Sequence, residues 1–324
     1  MLKHLYGGIG SILMLHRVTD GLSGPRIAAC RNLLETTPRA LEETIHHLRS
    51  LHYVFVDLDE VEDILKHPRR GPKFVAITVD DGYRDTYEVT YPMLTEMGIP
   101  FTVYVTTGVP DKTLIPWSNL LEQRLAEDNF IEYDFNGTRY SHIVEDQAQR
   151  ETAFWSIVSL IEELAPSDRD NLLYGMFGEQ TINDAIGATA LSWDQIEEMA
   201  RNPLVTIGAH TVNHPNLGIM ERGLALNELY EAKRQIESRV KMPVRHCAYP
   251  FGSSTACGDR EFKLAREVGY QTATTTRLAN IFPEHKDGLL CLPRVYGANE
   301  EELNLALTGS VSAFRYRGRR VITA

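Results

Sequence analysis

Short apolar runs alternate with amphipathic stretches along nearly the whole chain, and this alternation limits the possible folds more than any other feature. Residues 12–15, 53–57, 74–79, 101–106, 204–208, 245–249, 271–275 and 290–295 read as strands. Several are apolar on both faces, as parallel strands covered by helices require. Residues 38–51, 59–67, 86–97, 193–201, 224–240 and 259–268 read as helices. Gly98 and Gly269 stop two of these, and Ser192 caps LSWDQIEEMA with Gln195 three residues on. Strands alternating with helices predict a parallel sheet or barrel. No glycine-rich phosphate loop follows the first strand, so closure is favoured over an open doubly wound sheet. The expected class is α/β: a distorted (β/α) barrel of seven to eight parallel strands with a long helical insertion.

That insertion is residues 111–191, where the rhythm breaks. It carries helical pieces such as 119–128 and 149–164. It reads as an elaboration of the barrel rim within one 1–324 domain, able to shape a substrate groove, pack, or meet a partner. A chain of 324 residues that is 43% hydrophobic can bury a substantial core. Its net charge of -11 argues against nucleic-acid binding, despite a short basic tail of Arg315, Arg317, Arg319 and Arg320. Cys30, Cys247, Cys257 and Cys291 are scattered without CxxC pairing, which argues against thiolate zinc. Cys247 and Cys291 lie in apolar strand-like runs and read as small core residues. No run suits a membrane span. The opening MLKHLYGGIGSILML runs into His16 and Arg17 with no small-residue cleavage site. It reads as the first strand, and the expected compartment is the cytoplasm.

Three strand ends carry chemistry. The run Phe74–Val79 ends in Asp80 and Asp81, followed by Gly82. Neighbouring residues on a strand point to opposite sides, but a bend at the strand end lets both acids address one cavity. One can then ligate a cation while the other accepts a proton; alone, the pair reads as a solvated turn. A second apolar run ends in His210-Thr-Val-Asn-His214-Pro215. Two imidazoles and one carboxylate form a three-ligand site with positions left for water and substrate, which suits zinc or a similar ion. The third segment, Ala248-Tyr249-Pro250-Phe251-Gly252, would hold the Phe251 N–H rigidly, as an oxyanion donor must be held, or is simply a tight turn.

These segments resemble the polysaccharide deacetylase family, also called the NodB-homology or carbohydrate esterase family 4 group. TVDDG at residues 78–82 is similar to its TFDDG motif, HTVNH at 210–214 to its H-S/T-x-x-H motif, and YPFG at 249–252 stands in place of its third. SILMLHRV near the start and LPRV at 292–295 are similar to one bacterial branch. The resemblance implies Asp80 as general base, Asp81, His210 and His214 as ligands of zinc (or cobalt or nickel), and Thr211 as support for the histidine loop. It implies attack of metal-activated water on an acetamide, with the Phe251 N–H on the oxyanion. Tyr249, Pro250, Thr211 and Trp193 are the substrate-contact candidates, with Trp117 as a weaker aromatic one.

Two positions depart from the family pattern. Ala248 stands where the family places an arginine that orients the base, and Arg294 is nominated instead; a surface acid is its other possible partner. Leu292-Pro293-Arg294 lacks the family's histidine acid. His16 is nominated for that role, against the reading of a structural histidine. The expected activity is removal of N-acetyl groups from a GlcNAc-containing glycan, an exopolysaccharide or signalling-oligosaccharide precursor if the compartment is the cytoplasm. An O-acetyl ester or small cyclic amide on the same site, a silent glycan-binding domain, and a mononuclear iron oxygenase are the other readings.

Overall fold

The computed structural model describes residues 6–20, 35–67, 71–297, 300–315 and 318–319. Cys30, Arg317 and Arg320 lie outside the described residues, as do Met1–Leu5 of the opening segment. In chain order the strands are β1 Gly10–Leu15, β2 Arg17–Val18, β3 Glu35–Thr36, β4 Val54–Phe55, β5 Phe74–Val79 and β6 Phe101–Val105. There follow β7 Phe130–Phe135, β8 Thr138–Ile143, β9 Val205–Ala209, β10 His246–Ala248, β11 Thr272–Leu278 and β12 Leu292–Tyr296.

The strand order β1-β12-β11-β10-β9-β6-β5 closes on itself because β1 also pairs with β5 along its whole length, from Gly10–Phe74 to Leu15–Val79. Seven parallel strands thus form a closed barrel, and the two-residue β4 adds to the first half of β5. Both β1 and β5 are buried at every position, which explains why these runs show no polar alternation. Helices Pro38–Ser50, Trp193–Ala200, Arg222–Val240 and Asp259–Val268 bury Leu41, Ile45, Ile196, Leu229 and Leu264 in the core outside the barrel wall.

Local chemistry sets several boundaries. The residue 86–97 helix is in fact a π-turn, Thr86–Thr90, followed by Tyr91–Glu96. Pro92 has no N–H for the carbonyl four residues back, so the regular ladder cannot run through it. Leu289–Cys291 forms a 3-10 turn before β12, so Cys291 is a buried turn residue, while Cys247 sits within β10.

The insertion departs most from expectation, because it is not helical throughout. β7 and β8 form an antiparallel hairpin around Asn136-Gly137, both with positive φ (49° and 76°), as a two-residue primed turn requires. Helices Trp117–Glu127, Gln147–Glu162, Pro166–Phe177 and Glu179–Thr189 complete it. Ile131, Phe154, Ile157, Leu173 and Ile182 belong to an apolar cluster separate from the one behind the barrel. No helix among the described residues is long and apolar enough to cross a membrane.

Candidate active site and metal centre

Every barrel strand runs the same way, so the residues after their C-terminal ends share one rim. Asp80 and Asp81 follow β5, His210 follows β9, Tyr249 follows β10 and His16 follows β1. All five line one cavity of about 210 Å3. The backbone bend that the acidic pair needs is a left-handed one: Asp81 has φ 76°. Thr211, His214 and Phe251 are left-handed too, at 66°, 50° and 60°. Four such non-glycine residues at one rim are the kind of local strain a folded scaffold holds at functional sites.

Asp81 Oδ1 lies 3.5 Å from Nε2 of His210 and 3.4 Å from Nε2 of His214, and it accepts no hydrogen bond although buried. These separations exceed a good N–H···O bond. They match ligands of one tetrahedral ion, which at about 2.0–2.1 Å from the metal stand roughly 3.3–3.4 Å apart. Nδ1 of His210 faces the Ala248 carbonyl at 2.8 Å, so Nδ1 carries the proton and Nε2 offers its lone pair. The donor set therefore fits a divalent cation. Burial would push the Asp81 carboxyl up, but the two imidazoles beside it hold it well below the usual carboxylate range.

Asp80 is held differently. Arg294, on β12 and fully buried, forks onto it with Nη1–Oδ1 and Nη2–Oδ2 both at 2.7 Å. The same guanidinium reaches Thr78 Oγ1 at 3.1 Å and the Thr275 carbonyl at 2.9 Å, so it has no freedom to turn away. Burial acts to raise the Asp80 carboxyl, and Arg294 overrides it, leaving the group ionised. Arg294 thus meets an interior acid rather than a surface one. His16 Nε2 stands 4.0 Å from Asp80 Oδ2, and burial lowers the imidazole's basicity.

The turn after β10 carries the third segment. Gly252 has φ 58°, and a Cβ there would lie 2.4 Å from the Thr276 backbone nitrogen, so only glycine lets the turn press against β11. Thr276 Oγ1 donates to the Phe251 carbonyl at 2.6 Å, while the Phe251 N–H has no acceptor among the described residues. The Phe251 ring packs against His214 at 5.1 Å.

Some nominated residues are not brought to the cavity. Trp193 is buried against the barrel: its Nε1–H donates to Asp111 Oδ1 at 2.7 Å and Arg239 lies 5.3 Å over its ring. Thr211 is buried, and its hydroxyl donates to the His210 carbonyl at 2.5 Å and accepts from His214 N at 3.1 Å, so it ties the histidine loop instead of facing the cavity. Pro250 is buried behind the turn, its carbonyl accepting from Gly252 N at 2.7 Å. Tyr249 lines the cavity, yet its hydroxyl is spent on the Leu290 carbonyl at 2.9 Å. Trp117 does line the cavity, and so does Trp155, which no sequence motif marks.

Two supports were not visible from motifs. Glu228, on helix Arg222–Val240, accepts from the N–H groups of Val212 and Asn213, each at 2.9 Å, and from Asn213 Nδ2 at 2.7 Å. Arg169, on the insertion, donates to the Asn213 carbonyl at 2.8 Å. Both clamp the loop between the histidines from far away in sequence, and only the glutamate's place on an amphipathic helix's buried side hinted at it.

A parallel barrel that gathers three possible ion ligands and a locked carboxylate at its C-terminal rim has the layout of a hydrolase. Residues 67–273 match the family model described as polysaccharide deacetylase, well over half of the chain. The chain therefore belongs to the polysaccharide deacetylase family, hydrolases of carbohydrate amide bonds. None of the curated proteins matches the sequence. Among solved structures it is similar to the Streptococcus pyogenes deacetylase PplD in complex with acetate, at 20% identity and TM-score 0.61, over 92% of this chain and 97% of that one. It is also similar to IcaB from Ammonifex degensii, at 16% identity and TM-score 0.56, over 93% and 97%. A de-N-acetylase from Aggregatibacter actinomycetemcomitans gives 14% identity and TM-score 0.58, over 91% and 98%. At these identities the likeness is one of fold.

Proposed function

We propose that this chain removes N-acetyl groups from a GlcNAc-containing polysaccharide or oligosaccharide, using one divalent ion, zinc ahead of cobalt or nickel. One observation carries the reading: a buried, arginine-locked carboxylate stands beside a three-donor ion site in the same cavity. Asp81, His210 and His214 hold the ion. When bound, it supplies a Lewis acid that makes water nucleophilic near neutral pH.

Asp80 takes the proton from the attacking water; its forked bond to Arg294 leaves a lone pair on each oxygen for that task. Arg294 is a positioning residue, acting through Asp80. The Phe251 N–H donates to the oxygen that becomes negative as the carbonyl is attacked. His16 carries a proton to the departing amine, since an amide anion does not leave near neutral pH. Residues 1–324 work as one barrel domain in which 111–191 is an insertion forming one side of the cavity.

The test is acetate release from chitooligosaccharides by chelator-stripped protein, by the same protein with zinc or cobalt, and by Asp80→Asn. Metal-dependent release that the variant lacks is the expected result. An ion that binds with no acetate released would move the activity to esters or small amides.

A further inference from the structure

Resting on the deacetylase reading, the lining of the cavity says more about the substrate than the motifs do. The barrel contributes its polar floor: His16, Asp80, Asp81, His210 and His214. The insertion contributes a wall of a different kind, with Ile115, Trp117, Phe154, Trp155, Val158 and Ile186 facing the same space. Phe154, Trp155 and Val158 come from one helix, Gln147–Glu162, where spacings of three and four place them on one side. Trp155 is 44% exposed, so the wall continues from the metal ligands to the surface. On another flank lies a small polar recess with Arg17, Glu35, Asn119 and Glu122, sharing His16, Asp81 and Tyr83 with the main cavity.

A plain sugar chain finds hydrogen-bond partners on the polar floor and few along the wall. Each hydroxyl taken from water needs a hydrogen-bond partner, and Ile115, Val158 and Ile186 supply none. Ser118, Glu162, Thr189 and the indole N–H groups of Trp117 and Trp155 are the wall's polar members, too few to satisfy a row of sugar rings. Apolar surface next to the scissile amide is instead matched by an apolar substituent, whose transfer from water is favourable at each carbon.

We propose that the natural substrate carries an apolar group of several carbons beside its amide, held by the insertion wall while the sugar faces the polar floor. That group is either an alkyl or prenyl-type aglycone or an N-acyl chain longer than acetyl.

The test uses zinc-loaded protein and three substrates: methyl N-acetyl-β-glucosaminide, its octyl glycoside below the micellar limit, and the methyl glycoside bearing N-hexanoyl in place of N-acetyl. Initial rates give kcat/KM for each. At least one long-chain substrate is expected to exceed the methyl parent by about tenfold or more, mainly through KM. A gain with the octyl arm assigns the wall to the aglycone, and a gain with the hexanoyl arm assigns it to the acyl chain. Trp155→Ala, at a half-exposed position whose ring packs edge-on against Phe154, should bring that ratio back towards one. Ratios near one in the wild type, or a gain that survives in the variant, would overturn the proposal. No release from any of the three would count against the deacetylase reading instead. Calorimetric binding of the octyl glycoside, tight to wild type and weak to Trp155→Ala, would then still decide the wall.

Discussion

The floor and the wall of the cavity are built on opposite principles. On the floor, polar groups are buried and several are tied to a partner: Asp80 to Arg294, His210 to the Ala248 carbonyl, the histidine loop to Glu228. Its backbone is held in left-handed conformations at Asp81, Thr211, His214 and Phe251. The wall has side chains mostly from regular helices, with an apolar cluster of its own behind them. A floor of this kind demands exact residues, because a lost partner strands a buried charge. A wall of this kind tolerates exchange of one apolar group for another, and changes preference more than rate. Hydrogen bonds join the two, among them Arg169 to the Asn213 carbonyl and Asn216 Nδ2 to the Glu162 carbonyl at 3.0 Å.

The sharpest way to break that contrast is to strip the ion. Chelation should abolish acetate release, and added zinc should restore it in the wild type and not in His214→Ala, read in the same assay. Next comes Asp80→Asn, expected to lower turnover by about 10²- to 10⁴-fold, the usual worth of a positioned proton acceptor. Arg294→Met removes the partner of a buried carboxylate and should cost about 3–5 kcal/mol of stability, measured by urea unfolding. Glu228→Gln loosens the histidine loop without touching a ligand atom, and should weaken zinc affinity by about 10- to 100-fold in a competition titration. The smallest effect falls on the wall: Trp155→Ala should raise KM by roughly three- to tenfold for an apolar-substituted substrate while zinc affinity stays within about twofold. Were the wall variant to lose zinc as well, the division between floor and wall would fail.

What the sequence made legible follows from which forces are local. β1, β5 and β6 announce themselves because apolar runs of five to six residues are needed wherever both faces are covered. The acidic pair and the histidine pair announce themselves because metal chemistry demands few residue types at fixed strand ends. Arg294 was within reach for a different reason: one position on β10 lacked its usual cation, and another cation sat on β12, two strands along the barrel. The left-handed turn at Asp81 has no local signal, since it is imposed by the barrel rim. Glu228 and Arg169 act across the fold, so a chain read in order passes over them. Asn136-Gly137 was a readable hairpin signal in a stretch taken as helical. Trp193 misled because an aromatic residue at a cap looks alike whether it covers a core or a sugar; here Arg239 and Asp111 occupy it.

The central claim is that two adjacent carboxylates, Asp80 and Asp81, have separate tasks. Calorimetric zinc titration of stripped wild type, Asp80→Asn and Asp81→Asn tests it most directly. The account predicts one site in wild type, a site retained in Asp80→Asn, and binding lost in Asp81→Asn. Zinc lost in Asp80→Asn and kept in Asp81→Asn would contradict it.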